Sequence, residues 1–194
     1  QLLVMDIHHI ISDGASMDIL TREFQALAAG EILSPLKLQY KDYSAWQNRQ
    51  LESEVMNKPE NYWLTNFQGE IPVSMLPYDY PRPLIQGFEG AVATFGLGEP
   101  RTRRLGAISR EADVTVYMLL LSLYMIWLSK LSGQEDIIVG TPVAGRRHAD
   151  LERIVGMFVN TLPIRRQPVG EKSFLEFVEE VKEYGEKDKI MKKL

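Results

Sequence analysis

Residues 68–90 constrain the fold more than any other stretch of this chain. Pro72, Pro77, Pro81 and Pro83 fall within them, and the apolar residues between follow neither a helical nor a strand period. Proline removes a backbone donor and clashes with the preceding helical turn, so no long helix or central strand can run through. A structureless loop of that length inside one compact domain is uncommon. The chain is therefore expected to form two lobes, with residues 1–70 in the first, 91–194 in the second and 71–90 as the connector.

Each half alternates apolar patterns. Leu2-Leu3-Val4-Met5 reads as a buried strand running through Ile7 to about His9, and Ile10–Gly14 as a turn. A helix follows with Met17, Leu20, Phe24 and Leu27 on one face, with Asp13 or Ser12 as its N-cap and Gly30 as its stop. Tyr40, Tyr43 and Trp46 mark a second helix and read as packing, while Tyr62, Trp63 and Phe67 mark a third after Pro59. Beyond the connector, Ala91–Leu97 reads as a strand, Leu105 and Ile108 lie in a polar helix, and Thr115 caps an apolar helix that Gly133 ends. Asp136–Ala144 and Val155–Arg165 read as strands, and Ser173 opens a helix with Phe174, Phe177, Val178 and Val181 on one side. The charge-rich run Gly185–Leu194 is expected to fray. The class is α/β.

Composition excludes several functions. A net charge of -4 argues against nucleic acid, which selects for a basic stripe. With no cysteine there is no disulfide, thiol nucleophile or zinc–thiolate site; a reducing cytoplasm suits such a chain. Val114–Leu128 is shorter than the roughly 18 apolar residues of a membrane span and reads as a buried core helix. Gln1 stands inside an apolar run with no signal peptide, as expected of a piece cut from something longer.

The stretch that carries chemistry is His8-His9-Ile10-Ile11-Ser12-Asp13-Gly14, which holds two of the chain's 3 histidines. On a strand, neighbouring side chains face opposite ways, so one histidine faces a cleft and the other packs inward. Gly14 permits positive φ or close backbone approach, and the following helix offers free N–H groups to a developing negative charge. Three readings stay open on these residues alone. One histidine acts as a general base with Asp13 shaping the turn; His8, His9 and Asp13 bind a metal, for which the opposed histidines are awkward; or the histidines belong to the core.

His8–Ser16 resembles the HHxxxDG signature of condensation domains of non-ribosomal peptide synthetases. Tyr40-Lys41-Asp42-Tyr43-Ser44-Ala45-Trp46 resembles their YxDYAxW motif, Val155–Arg165 their (I/V)GxFVNTxxxR motif, and Asp136–Arg146 a further stretch of the same family. The resemblance implies a two-lobed fold similar to chloramphenicol acetyltransferase, here the end of the first lobe and most of the second. It implies amide bond formation between carrier-bound acyl or peptidyl and aminoacyl thioesters. Phosphopantetheine arms come from donor and acceptor carrier proteins beside an adenylation domain, and the chain binds no cofactor or metal itself. On this resemblance His9 is expected to face the tunnel as the base, His8 to support the turn from inside, and Gly14 to offer its N–H to the oxyanion. Asp13 is expected to be structural and to pair with an arginine, Arg146 first and Arg165 second. Ser16 and Asn160 are expected to bind substrate or hold structure. Segments before the histidine motif and after the last helix are absent relative to the family, so the isolated chain is expected to be inactive. The alternatives are an epimerisation domain, disfavoured because Met17 follows Ser16 where tryptophan is usual; a coenzyme A-dependent acyltransferase; a recruitment module; and a non-functional remnant.

Overall fold

The structure is a computed structural model and describes residues 3–191, with side chains to Tyr184. The elements in order are α1 (Gly14–Ala28), α2 (Tyr40–Leu51), α3 (Asn57–Asn66), α4 (Gly98–Glu111), α5 (Val116–Ser132), β1 (Ile137–Val143), β2 (Asn160–Arg166) and α6 (Phe174–Met191). β1 and β2 form a two-stranded sheet. The chain divides into two compact units. One takes Gln1–Gln68 with Gly140–Pro163; the other takes Gly69–Val139 with Ile164–Ile190.

Local chemistry sets several helix ends. Asp13 caps α1 by accepting the Ser16 N–H at 2.8 Å, as short polar side chains do before a helix. Thr115 caps α5, and Gly133 ends it at φ 68°, a conformation that costs glycine little. Ser173 and Glu176 bond each other's backbone N–H groups across the first turn of α6, the reciprocal cap of a Ser-x-x-Glu start. Those bonds to Ser173 hold the Glu176 carboxyl below its ordinary value.

Two expected strands do not form. Residues 3–8 and 91–97 have no strand structure, and Val4, Val92 and Phe95 stand at 77%, 90% and 88% exposure. A strand exists through its ladder of backbone hydrogen bonds, and no described segment pairs with either stretch. The strands that do form are shorter than the apolar runs that suggested them. The α1 face is also corrected. Phe24 and Leu27 are exposed, whereas Ser16 and Ile19 are buried. Asp13 and Ser16 are tied into the interior, and leaving such groups buried without partners costs more than exposing two apolar rims.

Most of the buried apolar side chains lie in the second unit. Leu119, Met125 and Leu128 of α5 are buried, as are Ile137, Ile164, and Phe177, Val178, Val181 and Tyr184 of α6. Each such side chain gains about 1.5–3 kcal/mol by leaving water. α5 is not buried all round, because Leu120, Leu123, Tyr124 and Trp127 stand 41–56% exposed. Among the described residues no single helix is long and apolar enough to cross a membrane.

Candidate active site

The histidine turn precedes α1. His9–Ile11 form one 3₁₀ turn rather than the end of a strand, so strand alternation does not govern the two rings. Both histidines are exposed, which corrects the inward-facing placement of His8. Its Nδ1 accepts the Ile10 N–H at 3.0 Å, so in the neutral ring the proton sits on Nε2. Gly14 is the first residue of α1, without positive φ and with nothing within 4 Å of a built Cβ. The left-handed freedom expected of it is not used.

Beneath the turn lies a buried polar node. Asp13 and Arg146 form an ion pair at 2.6 Å, with side chains 0% and 7% exposed. The second guanidinium nitrogen donates to the other carboxylate oxygen at 2.9 Å, to Ser16 Oγ at 2.9 Å and to the Ile154 carbonyl at 3.2 Å. Asp13 also accepts from Ser16 Oγ at 2.7 Å and from the Phe158 N–H at 3.1 Å. Desolvating two charges is expensive, and this density of hydrogen bonds offsets it. Burial alone pushes the Asp13 carboxyl up, but the bonds from Arg146, Ser16 and Phe158 outweigh it and hold Asp13 far below the ordinary carboxylate range. The Arg146 guanidinium also lies 4.3 Å over the Phe158 ring, a favourable cation–π arrangement.

Two glycines make the node possible. A Cβ on Gly145 would fall 2.0 Å from the Phe158 carbonyl, and its φ is 68°. A Cβ on Gly156 would fall 2.1 Å from the Tyr40 ring. Tyr40 therefore does more than pack: its hydroxyl donates to the Met157 carbonyl at 2.8 Å, and its ring meets Phe158 edge-on at 5.2 Å. Tyr43 lies 4.7 Å from the same ring. Trp46, expected in the core, stands 45% exposed.

The remaining candidates separate. Arg165 does not reach Asp13; it binds Asp136 through two nitrogens, the shorter contact at 2.6 Å. Ser16 is fully buried with protein partners, so it presents nothing to a substrate. Asn160 opens β2, exposed, with its Oδ1 accepting the Thr161 N–H at 2.8 Å. A hollow of about 420 Å³ is lined by Tyr43, Gln47, Trp63, Arg147, Phe158 and Asn160 among others, and His9 is not among them. Burial raises the Tyr43 phenol and lowers the Arg147 guanidinium beside it. Among the described residues no three His, Cys, Asp or Glu side chains converge as a metal site. The motif segments name Gly156, Phe158 and Tyr40 without their contacts, because those depend on distant segments that no local period encodes.

Comparison with known proteins covers nearly the same span. The profile described as Condensation domain matches residues 1–187. The chain is 53% identical over 182 residues to Tyrocidine synthase 3 of Brevibacillus parabrevis and 51% identical to Surfactin synthase subunit 1 of Bacillus subtilis (strain 168). It spans 94% of itself but only 3% and 5% of those proteins. In structure it is similar to the X-domain from teicoplanin biosynthesis, with a TM-score of 0.85 at 26% identity over 94% of this chain and 43% of that one. It is also similar to the first condensation domain of the CDA synthetase, with a TM-score of 0.73 at 27% identity over 93% and 41%.

Proposed function

The chain belongs to the condensation-domain family, and from that premise we propose that it forms part of a condensation domain of a non-ribosomal peptide synthetase, joining two carrier-bound thioesters through an amide bond. The observation that carries the reading is the meeting of two motif segments far apart in sequence. The histidine turn and the Gly156–Phe158 segment are tied through Asp13, Ser16 and Arg146, with His9 left open to solvent above them.

In this reading His9 handles the proton. The acceptor is an amine with an ordinary pKa of about 7.7–8.0, so a useful fraction is neutral near pH 7. The base matters most as the nitrogen bonds to the thioester carbonyl and becomes acidic. His9 then takes the amine proton and the thiolate of the donor arm departs. Such assistance is typically worth about 10²–10⁴ in rate, and orienting two tethered reactants adds a comparable factor. Gly14, at the start of α1, is the candidate N–H donor to the oxyanion. Asp13 does not act on the substrate, because both its oxygens are occupied within the node.

The partners in this reading are donor and acceptor carrier proteins bearing phosphopantetheine, with an adenylation domain in the same assembly and a cytoplasmic setting. A similar solved chain is a four-domain non-ribosomal peptide synthetase, of which this chain covers 14%. Residues 1–194 alone are expected to be inactive, since they span less than half of the solved domains they resemble.

The test is His9→Ala in the intact protein that carries this chain, assayed by mass of the carrier-bound product. Transfer should fall by about 10²–10⁴ with an unchanged melting temperature, because the ring is exposed. Transfer at the wild-type rate removes His9 from the role.

A further inference from the structure

The Ser16 hydroxyl does more than cap a helix. Its Oγ accepts hydrogen bonds from the Gly156 N–H at 3.0 Å and from the Arg146 guanidinium at 2.9 Å. It lies 2.7 Å from Asp13 Oδ1 and 2.9 Å from the Gly156 carbonyl, either of which can take its single proton. A hydroxyl has one proton and two lone pairs, so its capacity is filled, and the side chain is wholly buried.

Two features separate it from an ordinary cap. The backbone it grips lies 140 positions away. And it takes the Gly156 N–H at 3.0 Å with the carbonyl of the same residue 2.9 Å away, so one atom anchors the Gly156 backbone to the start of α1. The next two residues are held the same way, Met157 by the Tyr40 hydroxyl and Phe158 by Asp13. The histidine turn is joined to this frame through Ser12, whose N–H donates to the His9 carbonyl at 3.4 Å.

We propose that Ser16 is a positioning residue of the site. Its hydroxyl makes the first turn of α1 and the Gly156–Phe158 backbone one piece, and that piece sets the aim of the His9 imidazole. The effect on rate rests on the function proposed above; the effect on geometry does not.

The experiment has two arms. In the 194-residue chain, labelled histidine and glycine report the His9 ring carbons and the exchange of the Gly156 amide by NMR. Ser16→Ala should speed that exchange by about tenfold or more and shift the His9 signals. Ser16→Cys, with a weak donor and acceptor of similar size, should fall between. In the intact protein, Ser16→Ala should lower kcat about tenfold with the acceptor KM within about twofold, since a misplacement of about 1 Å can cost up to about 100-fold. Unchanged exchange and ring signals overturn the proposal, as does unchanged kcat with altered spectra. Unfolding of both variants overturns it too, leaving Ser16 a stabilising residue only. A wild-type protein without transfer overturns the proposed function instead and leaves the NMR arm as it stands.

Discussion

In the unit built from residues 1–68 and 140–163, the side chains withdrawn from water include Asp13, Ser16 and Arg146 beside Ile19, Ile154 and Phe158. In the other unit they are Leu119, Met125, Phe177, Val178 and Val181. The second unit also buries Ser109, Ser122 and Ser129; Ser122 bonds the Met118 carbonyl of its own helix at 2.8 Å and Ser109 the Val114 carbonyl just past its own, both local contacts. In the first unit Arg146 reaches Ser16 across 130 positions and the Phe158 N–H reaches Asp13 across 145. Apolar burial is non-directional and tolerates rearrangement; a hydrogen-bonded ion pair holds only at one geometry. The difference places the rigid, direction-sensitive interior under the histidine turn.

The largest effects should come from the centres of the two interiors, and conservative replacements should tell them apart. Phe177→Ala and Arg146→Ala should each cost about 3–5 kcal/mol, the first through a cavity and the second through an unpaired buried carboxylate. Met125→Leu should cost less than about 1.5 kcal/mol. Arg146→Lys should keep most of the loss, because one ammonium cannot span both Asp13 oxygens, Ser16 and a carbonyl. Urea unfolding, followed at Trp127 for one unit and at Trp46 and Trp63 for the other, checks this. Equal tolerance of both conservative changes breaks the comparison.

Acid should act on one interior more than the other. The bonds from Arg146, Ser16 and Phe158 hold the folded-state pKa of Asp13 below the ordinary value of 3.8. Its contribution is therefore complete above the unfolded value and is lost as pH falls below about 4 toward the depressed folded one. Melting followed at Trp46 and Trp63 should drop over that window, and Asp13→Asn should flatten the drop. An identical acid profile in the variant would sink the assignment.

The smallest effect should come from Tyr40→Phe, which deletes one hydrogen bond to the Met157 carbonyl and leaves the ring against Gly156. A loss of about 1 kcal/mol is expected, read from the urea midpoint. A loss near zero would mean that ring packing alone holds the segment and would narrow the contrast between the units.

Much of this was legible in the chain itself. Capping side chains and breakers act within a few residues, so Asp13, Thr115, Gly133 and Ser173 mark their helix ends without knowledge of the fold. The motif around His8–Gly14 and the segment ending at Arg165 likewise stand in the sequence as words. What the sequence left open is what needs a second segment. The strands expected near Val4 and Phe95 lack partners, Phe24 and Leu27 yield the buried face of α1 to Ser16 and Ile19, and the choice of Arg146 over Arg165 for Asp13 follows from where each guanidinium arrives. Periodicity and capping are energies of neighbours along the chain. The Asp13–Ser16 cap is such a local energy; Arg146 joins it as a neighbour in space, and only the fold brings the guanidinium within 3 Å of Asp13 and Ser16.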